Sequence, residues 1–194
     1  MGDLIVVTGP PGAGKSTVAP ALSSQFEPSA LVAGDQFFAF IDRGYLAPWT
    51  SPAHRQNEIV TEAAAAAAGR LARGGYTVVY DGVIGPWFVP TFRAAAGLPA
   101  LHYAILLPPE RLCLERVRDR ADHGFRDQAA ARHMYREFAT AHVDPRHVYA
   151  GTEDAVRIAT RLRERMRDGS LRVTAGGAEP GSPGKLDVRP PGAS

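Results

Sequence analysis

Cysteine and lysine are both scarce in this sequence of 194 residues, which has one cysteine and only two lysines among its 22 basic residues. The single cysteine, Cys113, excludes an intrachain disulfide and a cysteine-based zinc site. The formal charge is only +2, so electrostatics give no reason to expect binding to nucleic acid or to an anionic membrane. No apolar run approaches the length of a membrane span, and the opening residues are typical of a strand rather than a signal peptide. We therefore expect a cytoplasmic protein.

Short apolar runs alternate with helical patterns along most of the chain, and this alternation predicts an α/β fold with a parallel sheet covered by helices on both faces. The predicted strands lie at 4–7, 30–33, 76–80, 101–107 and, more weakly, 147–150. The predicted helices lie at 15–25, 54–73, 90–96, 110–120, 128–141 and 153–167. We expect one domain over residues 1–174, followed by a flexible tail rich in glycine and proline over residues 175–194.

Residues 9–16 read Gly-Pro-Pro-Gly-Ala-Gly-Lys-Ser and match the phosphate-loop pattern G-x-x-x-x-G-K-[ST]. The match lies between an apolar strand and a helix, which is the context that such a loop requires. Its glycines let backbone N–H groups turn towards phosphates, and the helix start carries a partial positive charge. The dinucleotide fingerprint G-x-G-x-x-G is not met, because position 11 is proline, and this disfavours a nicotinamide enzyme.

The loop predicts a site for a nucleoside triphosphate and Mg²⁺. We expect Lys15 to reach the β- and γ-phosphates, and the Ser16 hydroxyl to ligate the metal. The residues expected to contact the nucleotide are Gly9, Pro11, Gly12, Ala13, Gly14, Lys15, Ser16 and Thr17.

Aspartates follow the second and third predicted strands. Ligands of open parallel sheets bind at the carboxyl ends of the strands, so both carboxylates are expected near the phosphates. Asp35 is suited to accept a proton from an attacking hydroxyl, although a helix N-cap is the alternative role. Asp81 is suited to hold Mg²⁺ through water or to bind substrate, and its alternative role is that of a turn residue beside Gly82.

Half of the sixteen aromatic residues cluster in two short stretches after the same two strands. They are Phe37, Phe38, Phe40, Tyr45, Trp49, Trp87, Phe88 and Phe92. An apolar pocket with a few polar groups suits a small organic substrate. Tyr45 and Trp87 are the better pocket candidates, whereas Phe38 and Phe40 fit the core equally well. Arg43 is a further candidate substrate contact, although a solvated arginine is the simpler interpretation.

Arg116 and Arg120 lie four residues apart and therefore share one face of a predicted helix. The sequence then breaks near residues 123–126, which predicts a small lid over about residues 116–135 that closes on the nucleotide and brings arginine to the γ-phosphate. The alternative is a solvated charged helix in which Glu115 and Asp119 pair with these arginines.

With these motifs in this order, the chain resembles the small P-loop kinases over about residues 3–170. It is most similar to the chloramphenicol phosphotransferase-like and gluconate or shikimate kinase-like group. The resemblance implies a five-stranded parallel sheet of order 2-3-1-4-5, a lid, and ATP and Mg²⁺ as cofactors. It also implies transfer of the γ-phosphoryl group to a hydroxyl of a small molecule. By the same resemblance, Asp35 matches the catalytic base, and the adenine would lie near residues 147–152.

The resemblance leaves the acceptor open. No arginine pair of the kind that grips the carboxylate of shikimate is evident. The aromatic residues suit a larger and less charged acceptor, such as an antibiotic or a nucleoside-like molecule. Two other functions stay open at this point: a nucleotide or nucleic-acid 5′-end kinase, and a nucleotide-binding switch or regulatory ATPase that has no acceptor.

Overall fold

A β-sheet with helices on both faces forms the centre of the computed structural model, which describes residues 1–119 and 127–174. The strands are β1 (Leu4–Thr8), β2 (Ser29–Ala33), β3 (Thr77–Asp81), β4 (Ala100–Leu106), β5 (Val148–Tyr149) and β6 (Arg172–Thr174). The first five are parallel and lie in the order β2-β3-β1-β4-β5, which confirms the predicted fold.

Strand β6 was not predicted from the sequence. It pairs antiparallel with the beginning of β4, where Ala100 faces Thr174 and His102 faces Arg172. Only Val173 of its three residues is a large apolar residue, so no alternating pattern marks it as a strand. The predicted tail, residues 175–194, lies outside the described residues, as does the segment 120–126 of the predicted lid.

The helices of the described residues lie within two residues of their predicted bounds. They are α1 (Lys15–Ser23), α2 (His54–Arg73), α3 (Val89–Ala96), α4 (Glu110–Asp119), α5 (Gln128–Thr140) and α6 (Ala155–Arg167). Short 3₁₀ helices lie at Gly34–Phe40, Ser51–Ala53, Pro86–Phe88 and Pro145–His147. Within residues 1–119 and 127–174, no helix combines the length and the apolar character that crossing a membrane requires.

The hydrophobic core consists of two layers, one on each face of β1. Leu4 and Val6 belong to the layer under α2 and α3, whereas Ile5 and Val7 belong to the layer under α1 and α6. Successive side chains of a strand point to opposite faces, so a central strand covered on both faces must be apolar throughout. This explains the unbroken apolar run at the start of the sequence.

The register of the strands brings the predicted site residues to one edge of the sheet. Val7 of β1 and Ala33 of β2 both lie opposite Asp81 of β3. The phosphate loop begins two residues after Val7, and Asp35 lies two residues after Ala33. The loop and the two aspartates therefore lie together at the carboxyl ends of parallel strands, where ligands of such sheets bind.

Candidate active site

The bend between β1 and α1 depends on glycine. Gly12 has φ +79° and Gly14 has φ +98°, and residues with a side chain rarely adopt such values. A Cβ atom at Gly12 would also lie 2.8 Å from the Cys113 carbonyl carbon and 2.9 Å from the Cys113 Cα, and its carbonyl oxygen is nearer still. Glycine at this position therefore lets the backbone of α4 pack directly against the phosphate loop.

Lys15 lies across the phosphate loop. Its Nζ donates hydrogen bonds to the carbonyl oxygens of Gly9, at 2.9 Å, and Pro10, at 3.1 Å. This ammonium group is held above the loop, where the β- and γ-phosphates are expected. Burial differs along the predicted nucleotide contacts: Gly9, Gly12 and Ala13 are buried, Pro11, Gly14 and Lys15 are half-buried, and Ser16 and Thr17 are exposed.

The start of α1 suits an anion. Its N-cap residue is Gly14, which offers no side chain to the helix, and its first turn contains no acidic residue. The backbone N–H groups and the positive end of the helix dipole are therefore available to phosphate oxygens. Ser16 and Thr17 add exposed hydroxyls at the same helix end. These features fit a nucleoside triphosphate.

The same residues also fit Mg²⁺. In the described residues, no group of three or more histidine, cysteine, aspartate and glutamate residues could hold a metal ion. Mg²⁺ does not need such a cluster, because it is commonly held by one or two protein oxygens together with phosphate oxygens and water. The Ser16 hydroxyl and the half-buried Asp81 are the protein oxygens that the sequence predicted for this role.

A buried tyrosine, Tyr80, links the surroundings of the two aspartates. A Cβ at Gly82 would lie 2.7 Å from Cε1 of Tyr80, and a Cβ at Gly34 would collide with the Tyr80 hydroxyl. Burial raises the pKa of Tyr80 above its ordinary value, and the negative charges of Asp35 and Asp81 raise this pKa further. The Tyr80 phenol therefore stays protonated, and the charges of both carboxylates favour this protonated form.

Asp35 is exposed and free of the alternative role considered for it. It is the second residue of the 3₁₀ helix Gly34–Phe40, whose N-cap residue is Ala33, and no side chain caps this helix. The N-cap interpretation of Asp35 is therefore wrong. An exposed carboxylate at this edge of the sheet is open to a substrate.

The aromatic residues divide between the core and the surface. Phe92 is fully buried, and Phe38 is half-buried. Phe40 is 78% exposed, so the core interpretation of Phe40 is wrong. Tyr45, Trp49 and Trp87 keep 50%, 43% and 42% of their surface exposed, which is high for such large apolar side chains. The two best pocket candidates from the sequence, Tyr45 and Trp87, are thus both accessible.

Two amides that the sequence did not mark hold the loop over residues 41–50. The side chain of Gln56 accepts a hydrogen bond from the Leu46 N–H at 2.8 Å and donates one to the Leu46 carbonyl at 2.7 Å. Asn57 donates to the Pro48 carbonyl at 2.7 Å. These bonds fix an exposed loop that presents Tyr45 and Trp49. No sequence pattern signals an amide at a helix start that binds a preceding loop.

The predicted arginines have different environments. Arg116 is half-buried, and its Nη1 donates to the Gly12 carbonyl at 3.2 Å, so this side chain lies against the phosphate loop. The acids considered as its partners pair elsewhere, Glu115 with Arg111 at 3.4 Å and Asp119 with Arg118 at 2.8 Å. Arg43 has a side chain that is 95% exposed and lies 3.8 Å from Asp42, which agrees with a solvated arginine. Arg120 lies outside the described residues.

A parallel sheet of order β2-β3-β1-β4-β5 with a phosphate loop after β1 defines the P-loop kinase fold. The chain belongs to the AAA domain family, whose model matches residues 4–145. None of the curated proteins matches the chain in sequence.

Solved structures with the same fold include several proteins that are named as kinases. A gluconokinase from Sinorhizobium meliloti 1021 is 21% identical, with a TM-score of 0.56, over 86% of this chain and 94% of that one. An APS kinase from Mycobacterium tuberculosis, in complex with AMPPNP and APS, is 17% identical, with a TM-score of 0.60, over 86% and 98%. A tunicamycin resistance protein from Deinococcus radiodurans is 17% identical, with a TM-score of 0.59, over 86% and 96%. At these identities the likeness establishes the fold.

Proposed function

We propose that this protein transfers the γ-phosphoryl group of ATP to a hydroxyl of a small organic molecule. The observation that carries the proposal is the shared location of the phosphate loop, Asp35 and Asp81 at one edge of the sheet. A gluconokinase and an APS kinase bound to AMPPNP have the same fold, which supports a kinase with a small acceptor.

The nucleotide side of the reaction rests on the phosphate loop. Lys15, the start of α1 and the hydroxyls of Ser16 and Thr17 bind the triphosphate. Ser16 and Asp81 would hold Mg²⁺, which would supply positive charge to the β- and γ-phosphate oxygens. Arg116, a residue of the predicted lid, donates a hydrogen bond to the Gly12 carbonyl and so lies against the phosphate loop. Together with Arg120, it stabilises the charge of the phosphoryl group during transfer.

The acceptor side of the reaction rests on Asp35. Its carboxylate orients the acceptor hydroxyl and takes its proton as the oxygen attacks the γ-phosphorus. One P–O bond forms to the acceptor, and the P–O bond to the bridging oxygen of ADP breaks. A base in this role contributes roughly 10²- to 10⁴-fold in rate.

The acceptor itself is expected to be neutral and to have an apolar or aromatic face. Tyr45, Trp49 and Trp87 offer accessible aromatic surface. Arg55, at the start of α2 beside the loop over residues 41–50, is paired with Glu58 at 3.0 Å. Arg43 is solvated beside Asp42. An anionic acceptor would find no unpaired cation among these side chains.

An antibiotic is a candidate acceptor of this kind. The shared fold of the tunicamycin resistance protein supports that choice. Phosphorylation of such a compound would serve resistance or self-protection.

A mass-shift screen tests the proposal. The protein is incubated with Mg-ATP and each of a panel of neutral aromatic antibiotics, nucleosides, gluconate, shikimate and a 5′-hydroxyl oligonucleotide. We expect one added phosphate on a neutral aromatic compound and none with Asp35→Asn. Phosphorylation of gluconate or shikimate alone would contradict the acceptor chemistry, and phosphorylation of the oligonucleotide alone would indicate a 5′-end kinase. Hydrolysis of ATP that no compound changes would indicate a regulatory ATPase.

A further inference from the structure

The backbone of Ile84 is held by two buried side chains from the central strands. Thr8, the last residue of β1, is fully buried, and its hydroxyl donates to the Ile84 carbonyl at 3.1 Å and accepts from the Ile84 N–H at 2.8 Å. Tyr103 of β4, also buried, donates its hydroxyl to the same carbonyl at 2.8 Å. The N–H and the carbonyl of Ile84, a buried loop residue, therefore both have hydrogen-bond partners. Burial of either group without a partner would cost free energy.

These hydrogen bonds connect the phosphate-loop side of the candidate site to the side that is expected to bind the acceptor. Thr8 directly precedes Gly9, the first residue of the phosphate loop. Ile84 lies between Asp81 and Trp87, in a segment over residues 82–88 that we term the acceptor-side loop. A second contact supports the same junction, because the Gly82 N–H lies 3.4 Å from the Val7 carbonyl.

Trp87 lies near the end of the acceptor-side loop, three residues after Ile84. The ring of Trp87 folds back over Gly85, and a Cβ at Gly85 would lie 2.6 Å from Cη2 of that ring. The ring centroid lies 6.1 Å from that of Phe138 on α5. Trp87 is nevertheless 42% exposed, so its side chain stays accessible to a ligand.

We propose that Thr8 is a positioning residue that fixes the acceptor-side loop, and with it Trp87, relative to the phosphate loop. This inference rests on the proposed function, since it assigns Thr8 to the acceptor side of the phosphotransferase site. The Thr8 hydroxyl carries the role, because it makes both bonds to Ile84. The Thr8 methyl only fills space in the core.

Substitutions at Thr8 separate these two parts of the side chain. Thr8→Val keeps the shape and removes both hydrogen bonds, whereas Thr8→Ser keeps the hydroxyl and removes the methyl. Thr61→Val, at a buried threonine of α2, is the matched control for losing a buried hydroxyl. All variants are made in a Trp49→Phe background, which leaves Trp87 as the only tryptophan, because the chain has two.

Amide hydrogen exchange at Ile84 and acrylamide quenching of Trp87 report on the loop without any acceptor. In Thr8→Val we expect exchange at Ile84 to be at least about tenfold faster and quenching of Trp87 to rise about twofold, because the loop opens locally. Thr8→Ser should match the background protein in both measurements, even if urea denaturation shows that it is the less stable variant. Thr61→Val should also match it.

Equal exchange and quenching in Thr8→Val and the background protein would overturn the inference. Loop opening in Thr8→Ser as large as in Thr8→Val would also overturn it, because the methyl would then be responsible. Calorimetry with Mg-ATP keeps this result apart from the proposed function. We expect Thr8→Val to bind Mg-ATP within about twofold of the background protein, since its effect is on the other side of the site. A failure of the background protein to bind Mg-ATP would refute the proposed function, whatever the state of the loop.

A compound from the panel that gains a phosphate provides the catalytic measurement. For that compound we expect Thr8→Val to raise KM more than it lowers kcat, because Trp87 contacts the acceptor rather than the reacting atoms. An unchanged KM with a lower kcat would contradict a positioning role on the acceptor side.

Discussion

Substituting Gly12 by alanine tests how the phosphate loop is packed. Two costs are expected. The first is the left-handed backbone, φ +79°, which costs a residue with a side chain about 1–2 kcal/mol. Alanine also restricts the unfolded chain more than glycine does, and this effect offsets the first cost by about 0.4–1 kcal/mol. The second is the collision of the new methyl group with the Cys113 backbone of α4, which compares with overpacking of a core at about 1–3 kcal/mol.

Gly44 provides a control for the first cost alone. It has the same φ of +79°, and beyond its own backbone and its two chain neighbours no heavy atom lies within 4 Å of the position of its missing Cβ. Gly44→Ala should therefore lower the free energy of unfolding by at most about 1.5 kcal/mol. Gly12→Ala should lower it by about 1–3 kcal/mol more than Gly44→Ala does.

Urea denaturation of the two variants measures this difference directly. Calorimetry with Mg-ATP then shows whether the strained loop still binds nucleotide, and we expect weaker binding only in Gly12→Ala. Equal stability of the two variants would refute the reasoning, because it would mean that α4 does not pack against the loop as described.

Three further predictions concern the site and the core. Lys15→Ala should lower both the affinity for Mg-ATP and kcat/KM, because it removes the ammonium that lies over Gly9 and Pro10; calorimetry and steady-state kinetics measure both, and an unchanged kcat/KM would contradict the assignment. Asp35→Asn should bind Mg-ATP normally and lose roughly 10²- to 10⁴-fold in kcat, and normal turnover would place the base elsewhere. Burial lowers the pKa of His102 and of His147, so the unfolded chain binds protons more readily than the folded one below the ordinary histidine pKa of about 6.5. The free energy of unfolding should therefore fall as the pH drops from 7 to 5, and urea denaturation at a series of pH values should show a smaller fall in His147→Gln.

The phosphate loop could be predicted because it is a local property of the sequence. A buried strand, glycines at fixed spacing, Lys15 and a helix all lie within twenty residues, so no distant contact is needed to recognise them. The order of the parallel strands followed from the resemblance and is confirmed. Strand β6 escaped prediction because three residues are too few to form a pattern, and its identity as a strand depends on pairing with β4.

The side chains that hold the site together could not be predicted. Thr8 and Ile84 are 76 residues apart, and Tyr103 reaches the same carbonyl from a third segment. Nothing local marks such residues, because their partners are chosen by the folded topology. The same holds for Gln56, whose amide binds the backbone of Leu46 ten residues earlier. The catalytic role of Asp35 stays a prediction.

Binding of Mg-ATP to the unmodified protein, measured by isothermal titration calorimetry, tests the central claim most directly. The glycines of the loop, Lys15 and the uncapped start of α1 predict a saturable heat with one nucleotide per chain. The absence of any heat with ATP and with GTP, in the presence of Mg²⁺ and with a folded protein, would contradict the whole account.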